Sequence, residues 1–69
     1  MNINKILGQK IRAYREEQGY KQEEFAEECQ ISRAYYGRIE RGEHSITLDT
    51  CQKISKTLGI TISQLLDKL

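Results

Sequence analysis

Apolar residues recur at helical spacing in the first part of the chain. Leu7, Ile11 and Tyr14 are spaced i, i+4 and i+7, which predicts an amphipathic helix over about residues 4–18. Gly19 follows as the residue expected to end this helix in a left-handed conformation. Ile3 is expected to pack with the same face. The chain therefore begins with one helix that presents a single apolar face.

Residues 22–41 have apolar positions that suit two short helices crossing at a sharp turn. Phe25 and Cys29 are four apart, and Tyr36 and Ile39 are three apart, so each pair lies on one face of its helix. The second helix is predicted to begin at residue 22 and the third to follow Ser32, whose hydroxyl is a suitable helix cap. This is the pattern of a helix-turn-helix.

The last third of the chain predicts one longer and one shorter helix. The fourth helix follows Thr47, and its expected inner face consists of Leu48, Cys51, Ile54 and Leu58. A short fifth helix closes the chain. The C-terminal residues carry more apolar surface than one short helix buries in its own domain, so some of it should face a second copy. The expected dimer interface, at about residues 60–69, consists of Ile60, Ile62, Leu65, Leu66 and Leu69.

The length of 69 residues corresponds to a single all-α domain with one small core. A domain of this size buries only about 60% of its unfolded surface, so dimerisation would help its stability. No apolar run is long enough to cross a bilayer and no secretory leader is apparent, which predicts a cytoplasmic protein that does not bind membranes. Cys29 and Cys51 fall at apolar helix positions, and His44 has no partner at ligand spacing, so neither a metal nor another cofactor is expected.

The distribution of charge is more informative than the net charge of +1. Residues 22–30 contain four acids and no base, whereas residues 31–41 contain three arginines against Glu40 alone. The third helix is therefore the basic one. The acidic run is interpreted as a solvated helix face, with a protein-binding surface as the alternative.

The outward positions of the third helix carry chemistry suited to DNA. Arg33, as its first residue, can bind guanine with two hydrogen bonds, and Arg38 faces the same side one turn beyond Ala34. The methyl group of Ala34 can touch a thymine methyl. Tyr35 is expected to face outward, without a role in the core. The predicted base contacts are Arg33, Ala34, Tyr35 and Arg38.

Five segments, in chain order, carry a family resemblance. They are LGQKIRAYREEQG, KQEEFAEE, ISRAYYGRIERG, LDTCQKISKTLGI and SQLL. Together they resemble the phage-repressor-like helix-turn-helix family, also called the xenobiotic-response-element type, and SRAYYGRIERGE is most similar to the controller proteins of restriction-modification systems. The resemblance implies a five-helix lambda-repressor-like fold that binds double-stranded DNA as a homodimer on a palindromic operator and regulates transcription. RNA polymerase is a further partner that such a role allows.

The resemblance also implies roles for individual residues. Gln22 would hold a DNA phosphate at the start of the second helix. Arg15 and Glu40 would form a structural ion pair. The full set of expected phosphate contacts is Gln22, Ser32, Arg41, His44 and Ser45.

Two residues depart from the family pattern. Lys21 stands where a serine or threonine would cap the second helix, and Gln30 stands where the turn usually has glycine. Gly37 lies within a helix, where glycine is unfavourable, so the close approach of another group, such as DNA, is expected there.

Nothing in the sequence suggests catalysis, because it offers no activated nucleophile, paired catalytic acids or phosphate-binding glycine loop. The competing interpretation is a protein-interaction module, such as an antitoxin or adaptor domain, whose acidic second helix and apolar C-terminus bind another protein. The near-zero net charge keeps this alternative open.

Overall fold

Five α-helices account for most of the chain in the computed structural model, which describes residues 2–69. They are α1 (Ile3–Glu17), α2 (Gln22–Glu28), α3 (Arg33–Arg41), α4 (Leu48–Leu58) and α5 (Ile62–Leu65). The described part of the chain contains no β-strand, so the all-α, five-helix prediction is confirmed. None of the helices within residues 2–69 has the length and apolar character needed to span a bilayer.

Helix α3 is the centre of the packing. Helices α1 and α2 both pack against it, while α5 packs against α4 and α1. The core that results contains residues from all five helices. Within it, the ring of Phe25 lies between those of Tyr20 and Tyr36, with centroids 5.2 and 5.3 Å away. The buried apolar residues are Leu7, Ile11, Phe25, Ala26, Cys29, Tyr36, Ile39, Cys51, Ile54, Leu58 and Leu65.

Two apolar residues that were predicted to pack inward are exposed. Leu48 is 74% exposed rather than part of the inner face of α4, and Ile3 is 56% exposed. Both stand at the first position of a helix. In α4, the buried residue of the first turn is instead Thr50, whose hydroxyl accepts a hydrogen bond from Tyr35.

The burial of Leu65 overturns one part of the predicted dimer interface. Its side chain is completely buried within its own domain, in the core that α5 completes. A leucine without accessible surface has none to offer a second copy, so its inclusion in the interface was wrong. Of the other predicted interface residues, Leu69 is exposed, and Ile60, Ile62 and Leu66 are half-buried.

The first four helices end in one conformation, the Schellman motif, in which a residue with positive φ follows the last turn. Gly19, Gly42 and Gly59 supply it after α1, α3 and α4, but Gln30 supplies it after α2, with φ of 61°. The amide of the following residue, Ile31, donates to the carbonyl oxygen of Ala26 at 3.1 Å. The turn of the helix-turn-helix therefore has the geometry of a glycine stop without glycine.

The helix starts also follow one pattern, with α2 as the exception. Side-chain oxygens of Asn2, Ser32, Thr47 and Thr61 each accept the backbone N–H three residues later. Lys21, before α2, has no acceptor in its side chain. The side chain of Glu24 instead accepts the backbone N–H of Lys21 at 2.9 Å, which satisfies one amide at this end.

Gly8 allows α1 to cross closely over the end of α3. A Cβ atom at this position would lie 2.3 Å from the carbonyl oxygen of Ile39 and 2.6 Å from that of Glu40. Both of these atoms belong to the backbone of a neighbouring helix and cannot move aside cheaply. The sequence offered no signal for this contact, because a single glycine within an amphipathic helix does not reveal which element approaches it.

The two thiols are part of the packing. Cys29 and Cys51 are buried, and neither forms a disulfide. Burial raises the pKa of both thiols above its ordinary value, so both remain protonated at neutral pH. They act as small apolar side chains.

Replacing Gln30 with glycine is expected to leave the free energy of unfolding unchanged or to raise it by up to about 1 kcal/mol. Glycine adopts positive φ without the steric cost that glutamine incurs, and its greater freedom in the unfolded chain offsets part of the gain. Thermal unfolding followed by circular dichroism measures the change. The matched control, Gln9→Gly in α1, should lower stability by about 1 kcal/mol; a clear fall in melting temperature for Gln30→Gly would contradict the prediction.

Replacing Gly8 with alanine is expected to destabilise the domain by about 1–3 kcal/mol, because the new methyl group overlaps backbone atoms of α3. Helix propensity alone predicts the opposite sign. Chemical denaturation distinguishes the two expectations, with the exposed neighbouring change Gln9→Ala as the control for propensity. Equal or greater stability of Gly8→Ala would contradict a close crossing of α1 over α3.

Candidate nucleic-acid interface

The exposed face of α3 carries a stripe of residues at helical spacing. Ala34, Arg38 and Arg41 are spaced i, i+4 and i+7, and all three are exposed, as is Arg33 at the start of the helix. The opposite face is buried through Tyr36 and neighbouring residues. One side of α3 therefore forms the core while the other offers three guanidinium groups to solvent.

Two of these guanidinium groups are available to a ligand. Among residues 2–69, neither Arg33 nor Arg38 forms an ion pair or a side-chain hydrogen bond. Arg41 differs, because its Nε atom lies 3.1 Å from the Glu43 carboxylate in an ion pair that is half exposed. An arginine that is held by no internal partner can place both of its outer nitrogens against a guanine edge or phosphate oxygens.

Tyr35 is less exposed than the sequence pattern predicted. Its ring is half-buried at the edge of the core, and its hydroxyl donates to the Thr50 hydroxyl at 3.4 Å. The ring of His44 packs edge-on against it, with centroids 5.1 Å apart. The expectation that Tyr35 has no packing role was therefore wrong, and the ring joins α3 to the start of α4.

Three further predicted contacts, Ser32, His44 and Ser45, stand at the two ends of α3. Ser32 is exposed at the start, where its hydroxyl accepts the backbone N–H of Tyr35 at 3.1 Å and so caps the helix. His44 and Ser45 are exposed in the loop after α3, and the Nδ1 atom of His44 lies 2.8 Å from the Ser45 carbonyl oxygen. These residues flank the exposed stripe.

The buried side of α3 is held by the carboxylate of Glu40. Arg15 donates to it through Nε at 2.6 Å and through Nη2 at 3.2 Å, which is the ion pair expected from the resemblance. The hydroxyl of Tyr36 donates to the same carboxylate, and Gln22 donates through Nε2 at 3.1 Å. Arg15 also donates through Nη1 to the Tyr20 carbonyl oxygen at 2.7 Å. One carboxylate thus joins α1, α2 and α3.

This network shifts the ionisation of its members. Burial alone would raise the pKa of Glu40, but the hydrogen bonds from Arg15, Tyr36 and Gln22 outweigh burial, so the pKa lies below its ordinary value. The hydrogen bond to Glu40 raises the pKa of Arg15. Burial, together with the Glu40 carboxylate, raises that of Tyr36. At neutral pH the charges are therefore those of a stable ion pair with a neutral tyrosine.

An open groove of about 510 Å³ lies beside this network. Its lining includes Gln22 and Arg41, which were predicted to contact phosphate, and also the basic side chains of Arg12 and Lys21, which were not. Arg12 lies three residues before Arg15 on α1 and therefore on a neighbouring position of the helix surface. That spacing was the one signal in the sequence that could have added Arg12 to the site.

The described residues show no further chemical site. Residues 2–69 contain no cluster of three or more histidine, cysteine or acidic side chains that could hold a metal. The two acids of the groove are Glu23 and Glu40, and the Glu40 carboxylate already accepts its hydrogen bonds from Arg15, Tyr36 and Gln22. The arrangement is suited to binding an anionic polymer.

Comparison with known proteins gives consistent matches. The profile of the helix-turn-helix family matches residues 11–65. The control protein C.BamHI of Bacillus amyloliquefaciens is 43% identical over 67 residues, which cover 96% of this chain and 83% of that protein. The crystal structure of the restriction-modification controller protein C.AhdI from Aeromonas hydrophila has a TM-score of 0.87 and 31% identity, covering 90% of this chain and 94% of that one. SinR of Bacillus subtilis, in a structure with DNA, has a TM-score of 0.84 and 34% identity, covering 88% and 98%.

The carboxyl group of Glu40 is expected to titrate below its ordinary pKa, which carbon NMR of that side chain measures directly. Because the pKa is lower in the folded than in the unfolded chain, the ionised carboxylate stabilises the fold above the ordinary pKa. This stabilisation is lost as the pH falls through the lowered value. Glu40→Gln should therefore differ most from the wild type at neutral pH, by about 3–5 kcal/mol, and the difference should shrink in acid. A constant difference between neutral pH and pH of about 3 would contradict this.

Proposed function

The chain belongs to the helix-turn-helix family, and from this membership and the exposed face of α3 we propose that it is a sequence-specific DNA-binding regulator of transcription. The observation that carries the proposal is the pair of guanidinium groups, Arg33 and Arg38, on a rigid helix and without internal partners among residues 2–69. In the major groove, Arg33, Ala34, Tyr35 and Arg38 read base edges. A DNA-binding role also agrees with the cytoplasmic location expected from the sequence.

Contacts to the DNA backbone surround this reading face in the proposed complex. Gln22 and Arg41, which line the same groove, contact phosphate there, and Ser32, His44 and Ser45 contact phosphates at the two ends of α3. Such contacts set the register of the helix in the groove and carry no sequence information themselves. The fixed position of Gln22 against Glu40 supports its part in this set, because an ordered side chain loses less entropy on binding.

The proposed active form is a homodimer on a palindromic operator. Exposed or half-buried apolar residues near the C-terminus support it, and without Leu65 the proposed interface consists of Ile60, Ile62, Leu66 and Leu69. A two-fold dimer presents two recognition helices about 34 Å apart, one turn of DNA.

The proposed biological role is that of a restriction-modification controller protein. The 43% identity to the control protein C.BamHI, over 96% of this chain, supports this more specific role. In that role the protein would bind an operator near a promoter, where RNA polymerase is a further proposed partner. Catalysis has no part in the proposal.

A protein-interaction module is the alternative function, and one observation favours it. Glu23, Glu24, Glu27 and Glu28 are all exposed on α2, and none of them forms an ion pair among residues 2–69. Salt dependence separates the two functions. Several phosphate contacts predict a steep loss of DNA affinity as salt rises from 50 to 200 mM, of about 10³-fold or more for six contacts. An adaptor would bind DNA weakly at every salt concentration.

Two variants test whether the protein recognises a specific DNA sequence. Their affinities are measured on duplexes selected from a random pool. Arg33→Ala is expected to lose about 1–3 kcal/mol on the selected site and to discriminate less among sites, because it removes a base contact. Gln22→Ala should weaken binding to all duplexes by a similar factor. Fluorescence anisotropy gives the affinities, and thermal melting verifies that both variants remain folded. An unchanged preference in Arg33→Ala would remove this residue from the reading face.

A further inference from the structure

Gly37 has no backbone reason to be glycine. It lies within α3, and its φ is not among the positive values of the chain. Glycine is the least favourable residue other than proline in the interior of a helix. The neighbours of Gly37 are therefore the place to look for a reason for the missing side chain.

The groups that occupy the space beside Gly37 belong to two side chains. A Cβ atom there would lie 3.2 Å from Nη1 of Arg41 and 3.9 Å from Oε1 of Gln22. The guanidinium of Arg41, four residues later, thus folds back across the bare backbone of the helix, the direction that helical side chains prefer. The amide of Gln22 approaches the same spot from the start of α2.

Each of these side chains makes one polar contact within the protein and retains further hydrogen-bond donors. Arg41 is paired through Nε with Glu43 at 3.1 Å, which leaves its outer nitrogens available. Gln22 donates one amide hydrogen to Glu40 at 3.1 Å, which leaves the second. Both side chains line the open groove, whose lining also includes Lys21.

Resting on the proposed function, we propose that Gly37 is a positioning residue for a composite phosphate site. Its missing side chain lets Arg41 lie against α3, so that the guanidinium of Arg41 and the amide of Gln22 bind the oxygens of one phosphodiester together. A charged donor and a neutral donor converging on one anion bind it more tightly than either alone. Gly37 itself does not touch the DNA.

The contrast with Gly8 separates this role from a structural one. At Gly8 a methyl group would overlap backbone atoms at 2.3 and 2.6 Å, so the fold itself requires glycine. At Gly37 the nearest atom is the tip of a flexible side chain. Alanine there forces the tip of Arg41 to shift by a few tenths of an ångström and meets no backbone atom of a neighbouring helix.

Gly37→Ala therefore has opposite expected effects on stability and binding. The melting temperature should rise by about 4–8 °C through helix propensity. Affinity should fall about tenfold on selected and unrelated duplexes alike, since phosphate is common to both. The slope of log affinity against log salt should decrease by about one for each protomer.

A double-mutant cycle with Arg41→Ala identifies the route of the effect. If Gly37 acts through Arg41, then Arg41→Ala alone reproduces the loss, and Gly37→Ala changes the affinity of Arg41→Ala by less than about twofold. If DNA instead approaches the glycine directly, the two losses multiply and the proposal is overturned. Lys56→Ala, which removes an exposed charge from the last turn of α4, is the charge-matched control and should retain wild-type affinity.

The outcomes distinguish this inference from the function on which it rests. Wild-type protein that binds no duplex at low salt overturns both. The positioning role alone is overturned if the wild-type protein loses DNA affinity steeply with rising salt and Gly37→Ala has the same affinity and the same salt slope. A fall in the melting temperature of Gly37→Ala would also overturn it, because the glycine would then serve the fold.

Discussion

A single buried carboxylate, that of Glu40, holds helix α3 in place. Removing a carboxylate from water is costly unless hydrogen-bond donors replace the solvent, and Glu40 receives donors from Arg15, Gln22 and its own helix neighbour Tyr36. These donors come from three helices, so the orientation of each helix is fixed by the need to reach one charge. The crossing of α1 over α3 at Gly8 brings the two backbones close enough for Arg15 to do so. Shape and charge thus impose the same geometry.

Stability and recognition are divided between the two faces of α3. The inward face contributes Tyr36, Ile39 and Glu40 to the core and its network. The outward side chains of Arg33 and Arg38 form no ion pair or side-chain hydrogen bond within residues 2–69. Arg33 and Arg38 can therefore change without loss of the fold, and under the proposed function such changes would give one scaffold different sequence preferences. Gln22, at the start of α2, combines the two roles, since it belongs to the Glu40 network and also lines the groove. It thereby links the position of α3 to the proposed contact with a DNA phosphate.

The sequence predicted what depends on local periodicity and on residues with special backbone behaviour. Such local rules predict the end of α1 at Gly19, the start of α3 after Ser32 and the strained conformation of Gln30, and the structure agrees with all three. The errors arose where tertiary position decides. Periodicity assigns Leu48 to an inner face, but the first turn of α4 is largely exposed. Leu65 lies in a short, apolar C-terminal segment, yet its side chain is completely buried in the core. Gly8 and Gly37 show most clearly what the sequence cannot predict. Both are glycines within a helix, but Gly8 faces the backbone of α3 and Gly37 faces the side chain of Arg41.

The two buried thiols have a consequence for how the molecule can be observed. Thiolate, not thiol, reacts with alkylating and oxidising reagents, and both Cys29 and Cys51 are shielded and held in the protonated form. Cys29 ends α2 at the turn, whereas Cys51 lies within α4. Modification of either cysteine therefore requires a transient opening of its own part of the domain. The rates at which Cys29 and Cys51 are modified in the native protein therefore report separately on the opening of the helix-turn-helix and of α4. The faster rate identifies the part that opens more readily.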